Sequence, residues 1–185
     1  MLIWARQHGC PWEEPDEYDG IGFESLTPHC CALAAKGGHL EVLKWLRFGS
    51  AEDSHDEEDG TACPWNQSTC AYAAAGGHLE VLKWARAHGC DWDSSDVDSP
   101  YDCAALAAQG GHLEMLTWLF EPEHGFDWDD EWTCASAAEG GQLEVLKWLR
   151  AHGCEWDART VEEATAAGHD DVLQWALANG CPRSW

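Results

Sequence analysis

The stretch Gly37-Gly38-His39-Leu40-Glu41-Val42-Leu43-Lys44-Trp45 decides the fold, because the chain repeats it. It recurs unchanged from Gly76 to Trp84, returns with small changes at 110–118 and 140–148, and returns more loosely at 167–175. The spacing between successive copies shortens along the chain. Self-similarity with a period of about 20–50 residues indicates a solenoid of small units that stack side by side.

Each copy predicts a pair of helices. In the second helix, Glu41, Lys44 and Arg47 stand three residues apart and form one charged stripe. Apolar residues fill the rest of its surface, which is too broad for a lone helix in water and requires neighbours on both sides. The first helix lies just upstream and is rich in alanine, whose small side chain lets neighbouring helices approach closely.

Residues that start and stop helices flank these segments. Thr27-Pro28 and Ser99-Pro100 each combine an N-cap residue with proline at the first helical position. Thr160 with Glu163 has the spacing of a capping box. Glycine after a helix predicts a left-handed C-cap. The glycines at this position are Gly49, Gly89, Gly125, Gly153 and Gly180.

The unit resembles the ankyrin repeat. The segment Ala34-Ala35-Lys36-Gly37-Gly38-His39-Leu40-Glu41-Val42-Leu43 follows the ankyrin signature T-P-L-H-x-A-A-x-x-G-H-x-E-V-V, and Gly-His returns at 77–78, 111–112 and 168–169. The short, tryptophan-rich form is similar to ankyrin repeats abundant in protists, algae and large DNA viruses. The T-P-L-H box survives only as fragments, so the departures from the family pattern fall in the hairpin between repeats.

The predicted fold is an all-α, ankyrin-like solenoid of about five helix-turn-helix repeats with short or irregular hairpin loops. One array is expected to span residues 1–185, with a remnant helix over 1–12. The repeats are expected near 27–48, 68–87, 100–120, 132–151 and 159–179.

The composition is strongly acidic. The chain has 34 Asp and Glu against 10 Lys and Arg, a formal net charge of -24. Nucleic acids and anionic membranes repel such a charge, and a basic protein partner is attracted by it. No segment approaches the length of a membrane span, and the N-terminus lacks the apolar run of a signal peptide. These features predict an intracellular protein, cytoplasmic or nuclear, with reduced thiols.

Ten cysteines and ten histidines raise the possibility of a metal site. No C-x-x-C pair and no H-E-x-x-H motif occurs. Equivalent residues of stacked helices lie roughly 10 Å apart, which is too far for a shared metal or a disulfide. We therefore expect no metal and no cofactor, with the thiols acting as small apolar groups. The ankyrin resemblance implies that the Gly-His histidines hydrogen-bond backbone between repeats.

Two sets of tryptophans follow the repeat. Trp84 represents the set that ends each second helix, and Trp156 represents the set that lies beyond each turn. Because they recur at fixed positions, they are expected to be buried packing residues. The acidic loop from Asp91 to Asp102 partly matches an EF-hand, but it lacks the glycine that the EF-hand needs at its sixth position.

The ankyrin resemblance implies a non-enzymatic protein-binding module whose first helices and loops form a concave binding surface. Its first-helix contact positions are Lys36, Ala75, Gln109, Glu139 and Ala166. The acidic loop residues expected to contribute are Glu57, Glu58, Asp59, Asp96, Asp98, Asp129 and Asp130. No catalytic residues are predicted. Two alternatives remain open: a structural spacer within a larger repeat protein, and weak binding of a divalent cation by the acidic loops.

Overall fold

The computed structural model describes residues 30–49, 65–91, 102–121, 123 and 130–183 of the chain. These ranges hold ten α-helices and no β-strand. The helices are α1 Cys30–Lys36, α2 Leu40–Phe48, α3 Gln67–Ala75, α4 Leu79–Ala87, α5 Cys103–Gln109, α6 Leu113–Leu119, α7 Asp130–Glu139, α8 Leu143–Ala151, α9 Ala158–Ala167 and α10 Asp170–Ala178. The remnant helix expected over residues 1–12 lies outside the described residues.

Consecutive helices pair into five units that stack in one direction. Each odd-numbered helix packs against the even-numbered helix that follows it, and the first helices α1, α3, α5, α7 and α9 pack side by side in order. Buried alanine and cysteine face these contacts, as at Cys70, Ala71 and Ala74 of α3. Fully buried leucines of the second helices, such as Leu82 and Leu146, complete the core. The predicted all-α solenoid of helix pairs is thereby confirmed.

Acidic and amide side chains cap three of the first helices, α3, α5 and α9. Asn66 accepts a hydrogen bond from the Ser68 N–H, and Asp157 accepts one from the Arg159 N–H. The predicted capping box at Thr160 is wrong, since Thr160 lies inside α9 and is buried. The caps predicted at Thr27-Pro28 and Ser99-Pro100 lie outside the described residues. Helix α5 begins at Cys103, and the Asp102 carboxylate accepts from the N–H groups of Ala104 and Ala105 in its first turn. These oxygens satisfy N–H groups that have no partner within the helix.

The Gly-Gly-His stretch joins each repeat to the one before it. The His78 ring Nε2 donates to the Lys36 carbonyl at 3.0 Å, and the His112 Nε2 donates to the Ala75 carbonyl at 3.0 Å. This confirms the backbone hydrogen bonds between repeats that the resemblance implied. Gly77 has φ +71°, and a Cβ there would lie 2.5 Å from Nδ1 of His112. Glycine is therefore required both by its backbone conformation and by the ring of the next repeat.

The tryptophans of the two sets that the structure describes pack against the core, but they are half-buried and not fully enclosed as the sequence suggested. Trp65 lies between the preceding repeat and its own, with the Arg47 guanidinium 4.2 Å above its ring and Trp84 edge-on at 5.8 Å. Arg150, Trp156 and Trp175 repeat the arrangement at 4.3 and 5.6 Å. These tryptophan side chains are not fully buried, because the two sets pack on each other at the edge of the stack, outside the leucine core.

Candidate functional site

The five first-helix residues predicted as contacts lie at equivalent places in the stack. Lys36, Ala75, Gln109 and Glu139 are the last residues of α1, α3, α5 and α7, and Ala166 stands one residue before the end of α9. Three of them are exposed and two are half-buried. Because the first helices pack side by side, the five side chains form a row across the repeats.

The backbone beneath this row is fixed by the neighbouring repeat. The Lys36 and Ala75 carbonyls accept the hydrogen bonds of His78 and His112. A surface whose backbone is already ordered loses little conformational entropy when a ligand binds to it. The row therefore lies on a preorganised part of the molecule.

A second row, which sequence reasoning missed, lies one helical turn earlier. Residues three apart on a helix are neighbours on its surface. The Lys36 Nζ lies 5.4 Å from the centroid of the Tyr72 ring, which shows that the two rows share one surface. Leu33 of the second row is 54% exposed. The sequence does mark this second row, because a large side chain interrupts the run of alanines in the first helix.

We call the two rows together the first-helix surface. Its members are Leu33, Lys36, Tyr72, Ala75, Leu106, Gln109, Ser136, Glu139, Glu163 and Ala166. Its first three repeats supply large apolar side chains and Lys36, and its last two supply the carboxylates Glu139 and Glu163. The surface thus changes from apolar to acidic along the stack.

The second helices carry a different charge pattern. Lys44 contacts Glu41 at 2.7 Å, and the equivalent pairs Lys83–Glu80 and Lys147–Glu144 lie at 3.3 and 2.7 Å. These pairs are on the exposed side of α2, α4 and α8 and neutralise each other locally. Such surface ion pairs contribute little to stability, at most about 1 kcal/mol. Their effect here is to leave the second-helix side of the array close to balanced in charge.

The predicted acidic loop residues are not brought to this surface by any described contact. Glu57, Glu58, Asp59, Asp96, Asp98 and Asp129 lie outside the described residues. Asp130 is the first residue of α7. Most of the acidic loop that resembles an EF-hand, from residue 92 to residue 101, also lies outside them.

Comparison with known families decides what this stack is. A sequence model of three ankyrin repeats matches residues 31–131 and, in an overlapping register, 70–160. The chain belongs to the ankyrin repeat family. Ankyrin repeats are generally protein–protein interaction modules, and the family is typically non-enzymatic. No curated protein matches the chain.

Within the described ranges, no group of three or more His, Cys, Asp or Glu side chains is placed to hold a metal ion. In the same ranges, every helix is too short or too polar to cross a bilayer.

One pair of cysteines at non-equivalent positions lies in contact. Cys134 Sγ lies 3.0 Å from Cys154 Sγ, although the two residues occupy different positions of the same ankyrin repeat. The spacing argument considered only equivalent positions in neighbouring repeats. Within one repeat, however, the turn after the second helix folds back onto the first helix.

Proposed function

We propose that this ankyrin array binds a basic protein partner on the first-helix surface, with the acidic loops contributing to the attraction. The observation that carries the proposal is the surface itself, which is exposed in part, is continuous across the repeats and rests on backbone held by inter-repeat hydrogen bonds. No nucleic acid, membrane or cofactor enters the proposal. An intracellular setting fits a chain with ten cysteines.

The two ends of the surface suggest different roles in binding. Leu33, Tyr72 and Leu106 offer apolar area, and side chains of this kind anchor protein interfaces. Glu139 and Glu163 offer carboxylates to Lys or Arg of the partner. A net charge of -24 adds a long-range field that raises the association rate of a basic protein. The partner expected is therefore basic with apolar residues beside its positive charges.

Site-specific photo-cross-linking tests the proposal without a known partner. One variant carries the cross-linking amino acid at Gln109, on α5 and the first-helix surface. The control variant carries it at Thr117, which is exposed on the second helix α6 of the same repeat. Both purified variants are irradiated in an extract of the source cells, and adducts are identified by mass spectrometry. Unmodified array added in excess should compete away a specific adduct.

The proposal expects one or a few basic proteins cross-linked from position 109 and not from position 117. Equal adducts from the two positions would contradict the assigned surface. Absence of competed adducts at both positions would instead favour the structural spacer, since a spacer needs no partner on its first helices.

A further inference from the structure

Two repeats contain a pair of cysteines with the same separation in sequence. Cys70 and Cys134 lie on the first helices α3 and α7, and Cys90 and Cys154 lie in the turns after the second helices α4 and α8. The Cys134 and Cys154 sulfurs lie 3.0 Å apart. Cys70 and Cys90 occupy the equivalent positions two repeats earlier, and interaction with the Cys90 thiol is the main cause that raises the pKa of Cys70. All four are fully buried. Two repeats therefore place a first-helix thiol and a turn thiol at matching positions, and in the fourth repeat the two sulfurs are in contact.

We propose that Cys70 with Cys90, and Cys134 with Cys154, are oxidisable dithiols that close into a disulfide within each repeat when the protein meets a peroxide. Each bond would join the first helix of a repeat to the turn that ends it. The inference does not depend on the proposed partner.

The turn is held in a position that favours this reaction. Arg86 Nη1 donates to the Cys90 carbonyl at 2.8 Å, and Arg150 makes the same hydrogen bond to the Cys154 carbonyl. The Cys90 thiol also donates to the Asn66 carbonyl at 3.3 Å, beside the start of α3. A disulfide requires an S–S distance of about 2.05 Å. The Cys134 and Cys154 sulfurs therefore need to approach by roughly one ångström.

The thiols of the first pair are not equivalent. The hydrogen bond from Cys70 is the main cause that lowers the pKa of Cys90, and the Arg86 guanidinium and Thr69 hydroxyl act in the same direction against burial. The same thiol–thiol hydrogen bond, followed by burial, raises the pKa of Cys70. The thiolate is the reactive form of cysteine, so Cys90 is the attacking sulfur.

The reaction balances with one peroxide per disulfide. The Cys90 thiolate attacks one oxygen of hydrogen peroxide, the O–O bond breaks, and water leaves after taking up a proton, so that Cys90 becomes a sulfenic acid. The Cys70 sulfur then attacks the Cys90 sulfur, the S–O bond breaks, and a second water leaves with the Cys70 proton. The two sulfurs lose two electrons, and the peroxide is reduced to two waters.

The same core contains thiols that serve as internal controls. Cys103 is fully buried, and burial raises its pKa, but Phe126 stands at the turn position of its repeat. Burial likewise raises the pKa of Cys181 to about 11. In the repeat of Cys181, Val161 occupies the position that Cys134 has in the repeat before it. Neither residue has a cysteine at the complementary position of its own repeat, so neither should form an intra-repeat disulfide.

Peptide mapping of the full chain tests the proposal. Reduced protein is treated with hydrogen peroxide, catalase stops the reaction, and remaining thiols are alkylated in denaturant before digestion without reductant. We expect two linked peptide pairs, Cys70–Cys90 and Cys134–Cys154, both lost on adding dithiothreitol. The oxidised protein should also melt several degrees higher, because each bond constrains the unfolded chain. Circular dichroism before oxidation establishes that each sample is folded.

Three variants separate geometry from general reactivity. Cys90→Ser should remove only the first linked pair, Cys154→Ser only the second, and Cys103→Ser neither. Protein oxidised in urea should give scrambled pairs, which shows that folding selects the native ones. Links to Cys103 or Cys181 in folded protein, sulfinic acids in place of disulfides, or no reaction at all would each overturn the proposal.

Discussion

At the scale of single residues, a histidine ring of one repeat rests on a glycine of the repeat before it. The His112 ring reaches the Ala75 carbonyl at 3.0 Å and lies where a side chain on Gly77 would stand. Gln142 occupies the equivalent place in the fourth repeat and donates to the Gly140 carbonyl of its own repeat. The repeats are therefore joined at points where one added methyl group has no space.

Two glycine variants separate the cost of the left-handed backbone from the cost of crowding the His112 ring. They are Gly77→Ala and Gly89→Ala. Both glycines have positive φ, +71° and +84°, but a Cβ on Gly89 meets nothing within 4 Å. Gly89→Ala should lower the free energy of unfolding by about 1–2 kcal/mol, the cost of a left-handed alanine. Gly77→Ala should cost at least about 1 kcal/mol more, because the new methyl group overpacks against the His112 ring. Urea unfolding of both variants measures the difference, and equal losses would contradict the contact.

At the scale of elements, aromatic contacts join second helices of neighbouring repeats, as between Phe48 and Trp84 and between Phe120 and Trp148. Trp84 contacts Trp65 and Phe48 edge-on, at 5.8 and 5.9 Å, and the His88 ring stacks on it at 4.4 Å. Trp65 belongs to the same repeat as Trp84, while Phe48 belongs to the repeat before. The contacts between repeats therefore lie along the second helices as well as between the first helices.

Trp84→Ala should destabilise the array less than emptying a fully enclosed site. Full enclosure would predict about 3–5 kcal/mol, and half-burial reduces the expected loss to about 2–3 kcal/mol. Trp132→Ala is the comparison, since Trp132 is 41% exposed on α7, with the Arg159 guanidinium 4.8 Å from its ring, and its replacement should cost less than that of Trp84. Thermal and urea unfolding check both. A Trp84 variant that melts within about a degree of the parent would show that the stack contributes no packing energy.

The sequence predicts those features of the fold that recur in every repeat. Recurrence of Gly-Gly-His-Leu-Glu identified the helix pairs, and glycine after the helices identified positive-φ ends, as at Gly153. Contacts between unlike positions were missed, because they depend on how a turn folds over its own first helix. The Cys134–Cys154 contact and the half-burial of Trp84 are of this kind. Helix α9 starts before the predicted cap at Thr160, because the Asp157 side chain caps it three residues earlier.

At the scale of the whole molecule, charge is distributed unevenly. Three of the five described second helices pair Lys with Glu on their exposed side, whereas the last two repeats place Glu139 and Glu163 on the first-helix surface. Acidic residues also fill the stretches between helix pairs in the sequence. In a stack stabilised by neighbour interfaces, these charges remain available for a partner.

The acidic loops should act mainly on the rate of association. Replacing Glu57→Gln, Glu58→Gln and Asp59→Asn together removes three negative charges from a segment absent from the shortest repeat unit. We expect slower association with the cross-linked partner, a weaker dependence of that rate on salt, and an unchanged free energy of unfolding. Stopped-flow binding at several ionic strengths measures this. Unchanged rates, here and in matching variants of the other acidic loops, would limit the loops to a role in solubility.

Charge reversal on the two faces of the array tests the central claim most directly. Glu139→Lys changes the first-helix surface, and Glu114→Lys makes the same change at an exposed position of the second helix α6. Both alter the net charge equally, so any general electrostatic effect is common to the two variants. The measurement is the Kd of each variant for the partner cross-linked from position 109. The account predicts a loss on the order of tenfold for Glu139→Lys, because a basic partner then meets a like charge, and less than about twofold for Glu114→Lys. Equal losses, or no loss at Glu139, would contradict binding on the first-helix surface.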